Sequence, residues 1–224
     1  MSKTWFVTGT DTDVGKTAIS CALIAAANAS GLRTAAVKPV AAGCDEAGRN
    51  SDALLLQAII SEPLSYEQVN PVALRSAIAP HLAAQQEGKR IEANRLAGFC
   101  RGVMMGPADF VLIEGAGGWR VPINSRETLA QLAVELQVEV ILVVAMRLGC
   151  INHALMTAEA IARDGLKLAG WVANSPEGRM ECYEENLVTL QRWLPAPLIG
   201  EIDYMTDYQP ELAAKSLSLQ SLLR

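Results

Sequence analysis

A lysine, a threonine and two glycines stand at a spacing suited to a polyphosphate: residues 9–17 read Gly-Thr-Asp-Thr-Asp-Val-Gly-Lys-Thr. The apolar run Trp5-Phe6-Val7 precedes them and a small-residue stretch, 18–29, follows. A strand entering such a loop and leaving as a helix presents unpaired backbone N–H groups at the positive end of the helix dipole, where anions bind. Lys16 adds a mobile cation for the outer phosphates, and the Thr17 hydroxyl can join the coordination sphere of Mg2+. The general pattern G-x-x-x-x-G-K-[ST] would place a glycine at Thr10; here it stands one step earlier, at Gly9.

Other residues bear on the same chemistry. Glu114 follows the apolar run Phe110-Val-Leu-Ile113, so a strand delivers a carboxylate to its own tip, where many nucleotide hydrolases hold Mg2+. Gly115, Ala116, Gly117 and Gly118 behind it let a backbone approach a phosphate or substrate closely. Asp52 stands at a helix start, a place the dipole favours for any acid; it is equally a second carboxylate for a metal that takes one or two of them. Lys38, followed by Pro39, ends a strand. Alone it is a solvent-facing lysine; beside a bound nucleotide it is a second cation for a transferring phosphoryl group. His153 falls in the first turn of a helix, packed or hydrogen-bonded. Nothing pairs a Ser or Cys with His and Asp as a covalent hydrolase would need.

The elements that must position these groups follow from hydrophobic pattern. Strands are predicted at residues 4–8, 34–38, 109–113, 138–144, 168–172 and 197–199, and helices at 16–30, 51–60, 91–101, 128–136, 152–164 and 182–193. The strands are apolar without strict alternation, as when helices cover both faces. Strand–helix alternation predicts an α/β fold: a doubly wound, mostly parallel sheet with right-handed crossovers and a phosphate loop, in one domain over residues 1–224. Ligands in such sheets sit beyond the carboxyl ends of the strands, near the switch in strand order. The strand ends carry the phosphate loop, Lys38, Glu114, the run 147–153 and Asn174, and read as one assembled site. Residues 70–89, with Pro71, Pro80 and Gly88, form the most irregular segment and read as a lid or an insert.

Composition narrows the partners. The 224 residues are half hydrophobic and carry a net charge of −5 without a long run of either sign, which disfavours nucleic acid and anionic membrane. Aromatics make up 5%, too few for a base-stacking platform. The five scattered cysteines lack a C-x-x-C pair, so free thiols in a reducing cytosol are expected, and a structural zinc site is not. The absence of a secretory pattern and of the roughly 20 apolar residues that span a bilayer predicts a soluble, cytoplasmic chain.

Several of these segments coincide with one family. FVTGTDTDVGKT (6–17), VKPVAAG (37–43), RNSDAL (49–54), EGAGGW (114–119), LGCINHA (148–154), GWVAN (170–174) and PAPLIGEI (195–202) resemble the dethiobiotin synthetases, ATP-dependent carboxylases that close a ureido ring late in biotin synthesis. The early glycine is also that family's habit. The resemblance implies that Asp13, Val14, Gly15, Lys16, Thr17 and Ala18 wrap the triphosphate of ATP, with Gly115, Ala116 and Gly117 nearby. It implies that Thr17, Asp52 and Glu114 hold Mg2+, and that Lys38 is the catalytic lysine with Lys16 close by. Asn174 and Ser175, with Asp203, Tyr204, Met205 and Glu211, would recognise adenine and ribose. Thr12, Lys38 and the turn at Ala42 would face the diamine of diaminopelargonate, which is carboxylated by CO2. The family's homodimer implies that Gly149, Cys150, Ile151 and Asn152 receive the carboxylate tail of the neighbouring subunit's substrate.

Three departures stand out. Ala42 replaces a frequent Ser, the adenine loop reads Glu201-Ile202-Asp203-Tyr204 where Pro-Trp is common, and Arg75 lies where an acid is frequent. Two rivals share the loop. A cobyrinate-type amide ligase carries an added glutamine-hydrolysing domain. A partner-switching ATPase normally has an early second lysine, where this loop has Asp11, Thr12 and Asp13.

Overall fold

The structure, a computed structural model, describes residues 2–223; the first and last residues of the predicted domain lie outside that range. In chain order the strands are β1 (Lys3–Gly9), β2 (Thr34–Val37), β3 (Val40–Ala42), β4 (Val72–Leu74), β5 (Phe110–Gly118), β6 (Glu139–Ala145), β7 (Leu168–Asn174) and β8 (Leu198–Ile202). The helices are α1 (Lys16–Ala29), α2 (Ser51–Ile59), α3 (Tyr66–Val69), α4 (Pro80–Gln86), α5 (Ala93–Met104), α6 (Leu129–Leu136), α7 (Cys150–Arg163), α8 (Tyr183–Trp193), α9 (Pro210–Ala213) and α10 (Gln220–Leu223).

Six strands form one parallel sheet in the order β2-β5-β1-β6-β7-β8. The chain winds to one side of β1 and then to the other, so the switch in strand order falls at the strand that enters the phosphate loop. Alternate strand residues feed two separate cores. Phe6, Val37, Val111, Ile113, Leu142 and Trp171 pack beneath α4–α8. Trp5, Val7, Phe110, Leu112, Ile141 and Val172 pack beneath α1, α2, α3, α9 and α10. This double coverage explains apolar runs without a polar face.

The elements depart from expectation in instructive places. β2 stops at Val37, and beyond Pro39 the chain starts β3, which pairs in parallel with β4 as a separate two-stranded sheet. Residues 70–89 are therefore not irregular. They contain β4 and α4, with Pro80 in the first turn of α4 and Gly88, at φ 63°, just past its end. Those two residues, read as irregularity, are ordinary helix punctuation. β5 continues through its glycines, with a bulge between the pairs Val7↔Glu114 and Gly9↔Gly118. α7 starts at Cys150, two residues before the expected boundary, and His153 on it is exposed rather than packed. Among the described residues no helix is long and apolar enough to cross a membrane. The cysteines are free; burial pushes the Cys21 and Cys100 thiols up to about 12, while Cys182 is exposed.

Candidate active site

The phosphate loop owes its shape to backbone. Gly15 adopts φ 87°, and a Cβ there would lie 2.3 Å from Nδ2 of Asn174, so both conformation and space demand glycine. A Cβ on Gly9 would lie 2.5 Å from the Val14 side chain and 3.0 Å from the Asp11 carbonyl. The loop folds back over the end of β1, and that close approach explains the early glycine. Asp13 takes φ 56°, the left-handed region that Asp tolerates better than most residues. Asn174 braces the loop by donating from Nδ2 to the Val14 carbonyl at 2.8 Å. Lys16 Nζ donates to the Asp11 carbonyl at 3.2 Å. Burial pushes the Lys16 ammonium below the ordinary lysine range; the Glu114 carboxylate opposes that shift and the Lys38 charge adds to it.

Lys38, Asp52, Glu114 and Thr17 meet at one point. Lys38 Nζ lies 2.6 Å from Asp52 Oδ2 and 2.7 Å from Glu114 Oε1. Thr17 Oγ1 donates to the same Glu114 oxygen at 2.7 Å, leaving Oε2 buried without a hydrogen-bond partner among the described residues. The Lys38 and Glu114 side chains are 6% and 1% exposed, whereas Asp52 is 41% exposed. Burial pulls the Lys38 ammonium down, yet the Glu114 and Asp52 carboxylates outweigh it and hold Lys38 above its ordinary value. A charge this buried is retained only because it is paired and hydrogen-bonded.

Lys38, Asp52 and Thr17 border an open cleft of roughly 920 Å³, lined also by Thr12, Asp13, Gly15, Lys16, Ala18, Ala42, Ala116 and Gly117, a size within the range of small-molecule sites; Glu114 and Val14 are buried behind that lining. The rest of its wall is Ala41, Asn50, residues 77–80 from the segment read as a lid or an insert, and Arg120, Val121 and Pro122, which the sequence did not single out. Arg120 is held by Asp164 at 2.8 Å. Gly115 lies behind the lining, where a Cβ would press on the Phe6 ring at 3.1 Å; its smallness serves strand packing.

Of the expected adenine residues, Asn174 alone is shown touching the phosphate loop. Asn174 and Ser175 are buried at the end of β7, and Met205 packs on the α1 side of the sheet. Asp203 is paired with Arg179 at 2.8 Å, and Tyr204 is exposed. Glu211 lies on α9, which packs against α1. Tyr208, which sequence reasoning passed over, donates its hydroxyl to the Ala18 carbonyl. Gly149, Cys150, Ile151 and Asn152, at the start of α7, are not part of the lining of their own chain's cleft.

A family model described as an AAA domain matches residues 3–212. The chain is similar to the ATP-dependent dethiobiotin synthetase BioD of Cellvibrio japonicus, 55% identical, covering 99% of this chain and 98% of the relative. It is similar to the protein of that name from Marinobacter nauticus at 53%, covering 98% and 97% respectively. Among solved structures, a chain of the MinC:MinD cell division protein complex of Aquifex aeolicus superposes with a TM-score of 0.61 at 14% identity, covering 100% of this chain and 95% of that one. That likeness is one of fold alone.

Proposed function

The chain belongs to the dethiobiotin synthetases, a family of ATP-dependent ligases matched along nearly its whole length, and from that premise we propose how its cleft works. The protein joins CO2 to 7,8-diaminopelargonate and closes the ureido ring of dethiobiotin, converting ATP to ADP and phosphate. One amine takes up CO2 as a carbamate and releases a proton. A carbamate oxygen attacks the γ-phosphorus of ATP, ADP leaves, and the carbonyl carbon becomes electrophilic. The second amine attacks that carbon, phosphate departs, and the nitrogen loses its proton as the ring closes. Such chemistry needs positioning and cations where charge gathers, rather than a covalent enzyme intermediate.

The observation that carries this reading is the convergence of Lys38, Asp52, Glu114 and Thr17 on the mouth of the Gly15–Lys16 loop. Lys16 and Lys38 stabilise the transferring phosphoryl group, and residues 13–18 bind the triphosphate. Thr17, Asp52 and Glu114 suit Mg2+, since all are hard oxygen donors and Glu114 Oε2 lacks a partner among the described residues. When bound, that ion supplies charge neutralisation between the outer phosphates. Thr12, Lys38 and Ala42 face the diamine. Asn174, Ser175, Asp203, Tyr204, Met205 and Glu211 receive the base and ribose. Residues 149–152 serve the cleft of a partner subunit in a homodimer, consistent with their place outside their own cleft. The acidic balance argues against nucleic acid and membrane, and the five free cysteines argue for the reducing cytoplasm as the working compartment.

ADP release measured with diaminopelargonate and bicarbonate, against ATP alone, tests this. Strong dependence on the diamine is expected; activity triggered instead by DNA, lipid or a protein partner would favour a switch ATPase. Lys38→Gln is expected to keep ATP binding and lower turnover by about 100-fold or more, the scale of losing one electrostatic stabiliser. Near-normal turnover in that variant removes Lys38 from the mechanism.

A further inference from the structure

Behind the cleft, a ring of buried hydrogen bonds ties the main chain of Lys38 to that of Asp52. Asn50 caps α2, its Oδ1 accepting from Asp52 N–H at 3.1 Å and Ala53 N–H at 3.3 Å. The Asn50 N–H donates to the Tyr66 hydroxyl at 2.7 Å, and that hydroxyl donates to Asn70 Oδ1 at 3.0 Å. Asn70 Nδ2 donates to the Lys38 carbonyl at 2.7 Å, and the Lys38–Asp52 ion pair closes the ring. A branch runs from Asn50 Nδ2 to the Ala42 carbonyl at 3.1 Å. Asn50, Tyr66 and Asn70 are 5%, 8% and 3% exposed, and neither Tyr66 nor Asn70 borders the cleft.

We propose that Tyr66, with Asn50 and Asn70, is a positioning residue for the reaction, setting where Lys38 stands relative to Asp52 and where the turn at Ala42 lies. Packing alone would be served more cheaply by apolar side chains, because each buried polar group costs free energy unless it is paired. The bonds of this ring and its branch lead to three cleft residues, Lys38, Asp52 and Ala42. Local structure makes Tyr66 rigid. It opens α3, which is locked by a capping box between Ser65 and Gln68, and the Arg49 guanidinium lies 5.1 Å from its ring centroid. Burial raises the phenol above its ordinary value, so at neutral pH the hydroxyl remains a donor. The Lys38 N–H donates to the Val69 carbonyl at 2.7 Å, so α3 grips the lysine's main chain on both sides.

The inference rests on the role proposed above for Lys38, and the experiment separates the two. Tyr66→Phe deletes one oxygen. Its kcat is expected to fall about 10- to 100-fold, as for lost orienting bonds or a displacement near 1 Å. Its Kd for ATP is expected to change by less than about twofold, because the phosphate loop hangs on β1 and α1. On a Lys38→Gln background the same substitution is expected to cost little more, since it acts through Lys38. An unchanged kcat, a parallel loss of ATP affinity and thermal stability, or a full multiplicative loss on the Lys38→Gln background would each overturn the inference. If Tyr66→Phe does not fold at the assay temperature, Asn70→Ser carries the same measurements and the same expected non-additivity. A crippled Lys38→Gln enzyme with an intact Tyr66→Phe enzyme defeats this inference alone. Normal turnover in Lys38→Gln defeats the role of Lys38, and this inference with it.

Discussion

The two halves of the cleft are built by different means. The phosphate-loop half, from β1 to α1, takes its shape from main-chain torsion and close approach: Gly9 under Val14, Asp13 and Gly15 in left-handed conformation. The lysine half, residues 38–74, is held by side chains: Asn50, Tyr66 and Asn70 bond the backbone that carries Lys38 and Asp52. A loop shaped by backbone fails when a Cβ is added. A frame tied by side chains fails when a polar atom is removed.

After Lys38→Gln, the largest break in this contrast is expected from Gly15→Ala. The new Cβ meets both the φ of 87° and the Asn174 amide at 2.3 Å, and the torsion alone costs about 1–2 kcal/mol. ATP affinity measured by calorimetry should fall at least tenfold, about 1.4 kcal/mol. Ala42→Ser sharpens the other half. A hydroxyl at the turn held by Asn50 can add one hydrogen bond to substrate, about 0.5–1.5 kcal/mol, so KM for the diamine should drop by up to about tenfold while the Kd for ATP stays unchanged.

The lysines differ in sign with pH. Lys16 lies below its ordinary value in the free protein, so its contribution to phosphate binding should disappear as pH rises through that lowered value, while Lys38 remains charged. ATP affinity measured from pH 7 upward should therefore decline before the ordinary lysine value near 10.4 is reached, and Lys16→Met should abolish the decline. Lys38, raised by its carboxylates, contributes stability that is fully present below that ordinary value and lost as pH rises through its own higher one. The smallest effect belongs to the exposed Arg33–Asp109 pair, 3.0 Å apart. Arg33 lowers the Asp109 carboxyl to about 2, so whatever the pair contributes is present above the ordinary carboxylate value and lost as pH falls toward 2. Asp109→Asn should leave turnover unchanged and shift Tm by no more than about 2 °C at neutral pH.

The same contrast explains what could be read from the chain. Main-chain anion sites leave local marks, so Gly15-Lys16-Thr17 between an apolar strand and a small-residue helix was legible. Glu114 and Lys38 were legible because parallel sheets gather polar residues toward the carboxyl edge of their strands, although β5 runs on past Glu114 to Gly118. The frame was not. Tyr66 and Asn70 are ordinary polar residues whose partners, Asn50 and Lys38, lie 16 and 32 positions away. β3 and β4, three residues each, are too short for a period-two pattern. α4 does carry signals, Pro80 and Gly88, but in a stretch this short proline and glycine mark a loop as readily as they mark helix ends.

The distribution of thiols offers a practical handle. With Cys21 and Cys100 buried and held largely protonated at neutral pH, a maleimide dye should react first at Cys182. Cys182 immediately precedes α8, and its neighbour Tyr183 bonds Glu201, so a fluorophore placed there would stand near the Glu201–Asp203 loop and report on it optically without altering a residue that lines the cleft.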